Sequence, residues 1–169
     1  MNSLSESIED TVHIRFGASQ VQFETADVTL VSRVLDGQFP NYEKVIPKSR
    51  ERRVTVERAE FLGAMRRVVI VAKQNNEKAI FTTKNDIMEI TAQSSDIGDA
   101  NEEVGIAMDG ENLQIAFNSR YLVEVLTLLH DEKITLDLAG ALNPGILRSQ
   151  NGGEEPIDDF LYVVMPMQA

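Results

Sequence analysis

Two histidines, His13 and His130, stand far apart, and neither has a spaced partner that would complete a metal site. Cysteine is absent, which removes thiolate nucleophiles and disulfides together. The chain contains no G-x-S-x-G turn, no H-E-x-x-H helix and no glycine-rich phosphate cradle. Carboxylates are plentiful, but no pair is spaced for acid–base work. The acidic stretch "DIGDANEE" lacks the alternating oxygens and central glycine of a calcium loop and reads as a solvated loop. Nothing here argues for a catalytic residue, a bound metal or a cofactor. The chemistry on offer is that of binding.

One binding feature is electrostatic. The segments that read as helices, 58–73 and 119–130, carry five cations (Arg58, Arg66, Arg67, Lys73, Arg120) against two acids (Glu60, Glu124), a net +3. The chain total is −11, so −14 falls on everything else. A basic helical face on an acidic body can meet a polyanion locally while repelling it elsewhere. Taken alone, such charges also describe an ordinary solvated helix face. Two neighbours argue otherwise: Ile70 is apolar on the Arg67 face, and Gly63 costs about 1 kcal/mol relative to Ala in a helix interior.

The other feature is apolar. The chain closes on "DDFLYVVMPMQA", an almost unbroken hydrophobic run with Pro166 inside it. A plain reading makes it a final strand that buries Leu161, Val163 and Met165 in a core. Methionine at such a surface can instead repack around different partners, and Pro166 would stop the strand and turn the last side chains outward.

Elements must position these residues. Between Val12 and Leu35, "VHIRF", "VQFET" and "VTLVSRVL" read as three strands. The stretch "DGQFPNYEKVIPK" then holds two prolines and reads as a structured connector. The strand "RVTVE" leads into a helix with Phe61, Leu62, Met65, Val68, Val69 and Ala72 on one stripe. Three strands follow: "KAIFTTK", "DIMEITAQ" and "EEVGIAM". Then the order restarts. "NLQIAF" precedes a helix with Tyr121, Leu122, Val125, Leu128 and Leu129 on its stripe, and "KITLDL", "GILRS" and "FLYVVMPM" complete it. At an offset of 60, Phe61 matches Tyr121 and Met65 matches Val125. The expected fold is α+β: two pseudo-symmetric β-α-β-β-β units, with both helices on one side of antiparallel sheets. On this pattern Asn118 suits the N-cap of the second helix, and most of the Tyr121 ring belongs in the core.

The motifs "LDGQFPNYEKVIPK", "FNSRYLVEVL" and "YVVMPM", in this order, resemble the bacterial DNA sliding clamp, the beta subunit of DNA polymerase III. The resemblance runs from about Val12 to the C-terminus. Clamp chains hold three such two-helix domains in a head-to-tail ring, so residues 1–45 correspond to the end of a middle domain plus connector, and 46–169 to the third domain. The implied function is non-catalytic: a ring dimer encircles double-stranded DNA without reading sequence and tethers DNA polymerase subunits, the clamp loader and repair proteins. The implied peptide groove is lined by Pro40, Lys44, Val45, Asn118, Tyr121, Val163, Val164, Met165, Pro166 and Met167. Its opposite wall would come from a middle-domain loop outside this chain. Ile70, Val71, Glu102 and Glu103 would lie at the ring interface, while Arg58, Arg66, Arg67, Lys73 and Arg120 would face DNA. The chain ends Gln168-Ala169, where the family often has a basic and an apolar residue.

A different reading remains open from the residues themselves: a free-standing peptide-binding adaptor with no DNA role. No apolar stretch reaches the roughly 18 residues a spanning helix needs, and "MNSLSESIED" has no signal-peptide core. A cytoplasmic, nucleoid-associated bacterial protein is the expectation.

Overall fold

The computed structural model describes residues 11–39, 41–47, 49–150 and 160–168. The chain divides into two compact units, Met1–Pro40 and Asn41–Ala169.

The first unit is an antiparallel sheet of β1 (His13–Phe16), β2 (Gln20–Glu24) and β3 (Thr29–Arg33). Its turns close with Gly17 N donating to Gln20 O and Thr25 N to Val28 O, both at 2.8 Å. Ile14, Phe16 and Val31 remain exposed.

The second unit begins with a 3-10 turn at Tyr42–Lys44. Then come β4 (Arg52–Glu57), α1 (Arg58–Ala72), β5 (Lys78–Lys84), β6 (Ile87–Ser94) and β7 (Gly98–Asp109). The series repeats as β8 (Gln114–Asn118), α2 (Ser119–Leu128), β9 (Lys133–Leu138), β10 (Gly145–Gln150), β11 (Tyr162–Val164) and β12 (Pro166–Met167). The strands run in the order β11-β10-β9-β4-β7-β6-β5-β8-β12. Only Met165 separates β11 from β12, so the two ends of this order meet in the chain.

Every strand pairing has a partner under exchange of the two repeats. β4 pairs with β7 and β9, and β8 pairs with β12 and β5. The helix starts are reciprocal too: Arg58 N donates to Glu132 O at 2.9 Å, and Ser119 N to Glu77 O at 2.7 Å. Each helix therefore gives one of its otherwise unpaired first N–H groups to the other repeat. This is the α+β architecture the restart implies.

The helices bury the inner face. Phe61, Leu62, Ala64, Met65, Val68 and Ala72 of α1 join Leu122, Val125 and Leu126 of α2 in one core with the strands. Phe81 links the halves, edge-on to Phe61 at 6.2 Å and tilted against Phe117 at 5.8 Å. Gly110, at φ +106°, is the required residue at its turn, since a Cβ there would lie 2.6 Å from Glu51 O.

Two expectations change. The helices begin at Arg58 and Ser119, so the repeat offset is 61. One residue rotates a helix face by about 100°. Phe61 therefore matches Leu122, and both are fully buried, whereas Tyr121 and Leu128 are 51% and 75% exposed. The stretch expected as a solvated loop also becomes strand from Gly98 onward, because β7 ladders on β6 from Ser94↔Gly98 to Ile87↔Gly105.

Candidate functional site

The terminal junction follows from strand geometry. β11 pairs with β10 through Leu147↔Tyr162, Ile146↔Val163 and Gly145↔Val164; after Met165 the chain crosses to β8 through Phe117↔Pro166 and Ala116↔Met167. Side chains alternate along a strand, so Val164 and Tyr162 point one way and Val163 the other. Val164 is the core residue, 2% exposed, and Met165 is 58% exposed. The plain expectation of Val163 and Met165 as core has the wrong phase. Val164 lies beneath the junction as part of the core and does not line an open groove. Gly145 permits this packing: a Cβ would sit 2.9 Å from the Phe117 ring and 3.3 Å from Leu136 and Leu138.

Proline at 166 has a specific consequence. Its counterpart in the first repeat is Ile106, whose N–H donates to Asp86 O at 2.8 Å. Pro166 has no N–H, so the second repeat cannot make that tie. Val163, Pro166 and Met167 are half-buried.

Asn118 caps α2 as expected, its Oδ1 accepting from Arg120 N at 3.0 Å and Tyr121 N at 3.3 Å. That places Tyr121 in the first turn, outside the core. Tyr162, which the sequence reading missed, belongs to the same patch. Burial first, then the neighbouring Glu124 and Tyr121, push its hydroxyl above the ordinary value. The junction thus brings Tyr121, Tyr162 and Glu124 into one electrostatic neighbourhood.

On the connector side Lys44 and Val45 are exposed, and Val45 N donates to Tyr42 O at 3.0 Å. Pro40 lies outside the described residues. Pro47 and Ser49 share a cavity of ≈ 180 Å³ with Ile146 and Arg148 of β10. Ile146 is the register partner of Val163, so the connector reaches the strand beside β11. Beside this cavity, Asp137 is held by Arg53 through two bonds of 2.6 and 2.9 Å. Arg50 and Arg148 each stand 3.9 Å from the same carboxylate. Partners 84 residues apart left no local signal of this centre.

The basic helix residues have separate fates. Arg58 is half-buried and donates from Nε to Asp131 O at 2.8 Å and from Nη1 to Leu126 O at 3.2 Å. It satisfies carbonyls at and just beyond the end of α2, a stabilising place for a cation. Arg67 makes a two-bond pair with Glu102, both contacts 2.7 Å. Hydrogen bonding within that pair raises the arginine pKa and lowers the glutamate. Arg120 pairs with Glu124 at 2.8 Å. Lys73 and Arg120 border a depression of ≈ 280 Å³ together with Glu77 and Glu124, two cations facing two acids. Arg66 is exposed.

Ile70 is 63% exposed, and Val71 is half-buried against the core. Glu102 is engaged by Arg67, while Glu103 is exposed. Residues Gly98–Gly105 of β7 ladder with β6 alone among the described strands. Among the described residues no group of three or more His, Asp or Glu could hold a metal ion. No helix among the described residues is long and apolar enough to cross a membrane.

The model of the family "DNA polymerase III beta subunit, C-terminal domain" matches residues 43–168. The beta sliding clamp of Staphylococcus aureus is 26% identical over 170 aligned positions, covering 99% of this chain and 44% of the relative. The crystal structure of the DNA polymerase III beta subunit from Thermotoga maritima superposes with TM-score 0.79 at 31% identity, over 99% of this chain and 44% of that one. A sliding clamp from Bartonella birtlesii, bound to griselimycin, gives TM-score 0.82 at 28% identity with the same coverage. The chain therefore spans less than half the length of the clamps it matches.

Proposed function

The chain belongs to the DNA polymerase III beta subunit family, and we propose that it is the client-docking portion of a bacterial sliding clamp. Its second unit is a sliding-clamp C-terminal domain. The proposed role is non-catalytic: to tether DNA polymerase subunits, the clamp loader and repair proteins to a ring that encircles duplex DNA in the cytoplasm. The observation that carries this reading is the junction at Met165. There an exposed methionine lies between two short strands, beside the half-buried Val163, Pro166 and Met167, and α2 presents Tyr121 from its capped first turn. Exposed methionine and tyrosine with a buried floor suit capture of short apolar motifs of varied sequence.

On this reading residues 1–45 are the end of a preceding clamp domain with its connector. Ile70, with Val71 beside it and Glu103 nearby in sequence to the engaged Glu102, forms part of a head-to-tail ring interface. Arg66 and Lys73 are the helix cations left to meet phosphate. The test is titration of griselimycin, the ligand of the Bartonella relative, against this chain. Saturable binding that Met165→Ala and Tyr121→Ala both weaken supports the assignment. Binding indifferent to both rejects it.

One observation favours the adaptor reading without a DNA role: Arg58, Arg67 and Arg120 are each engaged by carbonyls or carboxylates of this chain. Duplex titration at graded salt separates the two. A clamp portion shows weak, salt-suppressed and sequence-independent association, and an adaptor shows none.

A further inference from the structure

The internal two-fold repeats the terminal junction elsewhere in the domain. β7 leaves β6 after Ile87↔Gly105 and joins β4 at Val56↔Ile106, just as the chain end leaves β10 after Gly145↔Val164 and joins β8 at Phe117↔Pro166. At this first-repeat junction lie two adjoining depressions of ≈ 390 and ≈ 530 Å³, which share Asp86, Ile106 and Ala107. Nothing in the terminal-groove reading uses them.

Three features define what would fit. Residues 107–109 of β7 ladder with β4 on one side and with no described strand on the other. Ile106 N already faces Asp86, so by alternation Met108 is the one of these three whose main-chain N–H and C=O turn away from β4. Those two groups border the larger depression and suit an extended backbone. Next, the Asp86 carboxylate has no ion pair among the described residues, while its main-chain oxygen is fixed by Ile106 N at 2.8 Å. Across the smaller depression Glu57 is already neutralised by Lys133 at 3.3 Å. One uncompensated carboxylate therefore remains, and it calls for a cation. Finally, Gly105 has open space where a Cβ would project, and Ala107 is exposed. That leaves room on the floor for an aliphatic side chain. Asn112 Oδ1 accepts from Asn85 N at 3.0 Å and steadies the Asn85–Asp86 wall.

We propose that this first-repeat junction is a second docking site, for a short extended peptide carrying a basic residue next to an aliphatic one. It is distinct from the Met165 junction in position and in charge preference. By register Ile106 and Ala107 match Pro166 and Met167, and the exposed Met165 is an insertion that the first repeat lacks, so this site is shallower and more polar.

The test is amide NMR on the full chain with the capped peptide Gly-Lys-Leu-Lys-Gly as probe. Saturable shifts are expected at Thr55, Ile106, Ala107 and Met108. Asp86→Asn, whose main-chain tie is untouched, should weaken binding roughly two- to fivefold, the range for one exposed ion pair. Gly105→Phe should fill the floor and abolish the shifts, and the peptide with Glu for both Lys should give none. Met165→Ala should leave this binding unchanged, which separates its failure from failure of the terminal-groove reading. Shifts centred on Tyr121 and Met165 would overturn the proposal. So would the absence of saturable shifts, or equal binding by Asp86→Asn.

Discussion

Arg67 on α1 and Glu102 on β7 grip one another through two parallel bonds, Nε to Oε1 and Nη2 to Oε2, both 2.7 Å. A cation that the clamp resemblance places facing DNA thus pairs with a carboxylate that the same resemblance places at the ring interface. Ile70 follows one turn after Arg67. The pair ties the helix to the strand at the edge where the exposed apolar residue stands.

The pair predicts an acid dependence. Glu102 is held below its ordinary value of 4.5, mainly by the hydrogen bond from Arg67. A carboxylate depressed on folding stabilises the fold above its unfolded pKa, and that contribution is lost as pH falls through the lower folded value. Glu89, lowered by Lys84 and Asn101, acts in the same direction. Stability measured by denaturant should decline as pH drops below about 4.5. Arg67→Ala should flatten that decline by slightly lowering stability at neutral pH and leaving it unchanged at low pH, a small effect because the pair is exposed. An unchanged acid profile in Arg67→Ala would contradict the linkage.

Arg58→Ala should behave differently. Its guanidinium satisfies Leu126 O and Asp131 O from a half-buried position. Losing those bonds should cost about 1–3 kcal/mol, read as a lower urea midpoint at unchanged slope. No loss would mean that the contact contributes only at the surface.

The 61-residue offset can be checked by paired truncation. Phe61 is fully buried, so Phe61→Ala should cost about 3–5 kcal/mol. Tyr121→Ala should cost far less, since the ring is 51% exposed. Similar losses at both positions would restore the 60-residue match.

Gly145→Ala tests how the final strand is seated. The added methyl would press on Phe117 at 2.9 Å and on Leu136 and Leu138 at 3.3 Å. Overpacking of this kind costs about 1–3 kcal/mol and should loosen the Val164 pairing. Faster amide exchange at Val164, with β4–β6 unchanged, is the expected signature.

Much of the fold was legible because apolar period and turn residues agree along most of the chain. The β-α-β-β-β restart shows in the spacing of Leu62, Met65 and Val68. What pattern could not settle was phase. Adjacent apolar residues on α2 allow stripes one residue apart, and packing against α1, with β8 and β11, selects Leu122 and Leu126 over Tyr121 and Leu128. The run "LYVVMPM" is apolar at every position, so its alternation carries no signal; pairing with Gly145 decides that Val164 goes in. Helix cations are equally ambiguous. Arg58 meets carbonyls some 70 residues away, and Arg67 meets a carboxylate 35 residues on. Neither partner lies within a helical turn.

The central claim is that the Met165 junction captures apolar ligands, and calorimetric titration of griselimycin tests it most directly. The chain should bind saturably, and Met165→Glu should weaken binding at least about tenfold, an effect on the order of 1.4 kcal/mol for a charge placed at the contact. Far-ultraviolet circular dichroism should stay unchanged, because Met165 is 58% exposed and outside both short strands. Undiminished affinity in Met165→Glu, or no binding by the unaltered chain at millimolar ligand, would contradict the account.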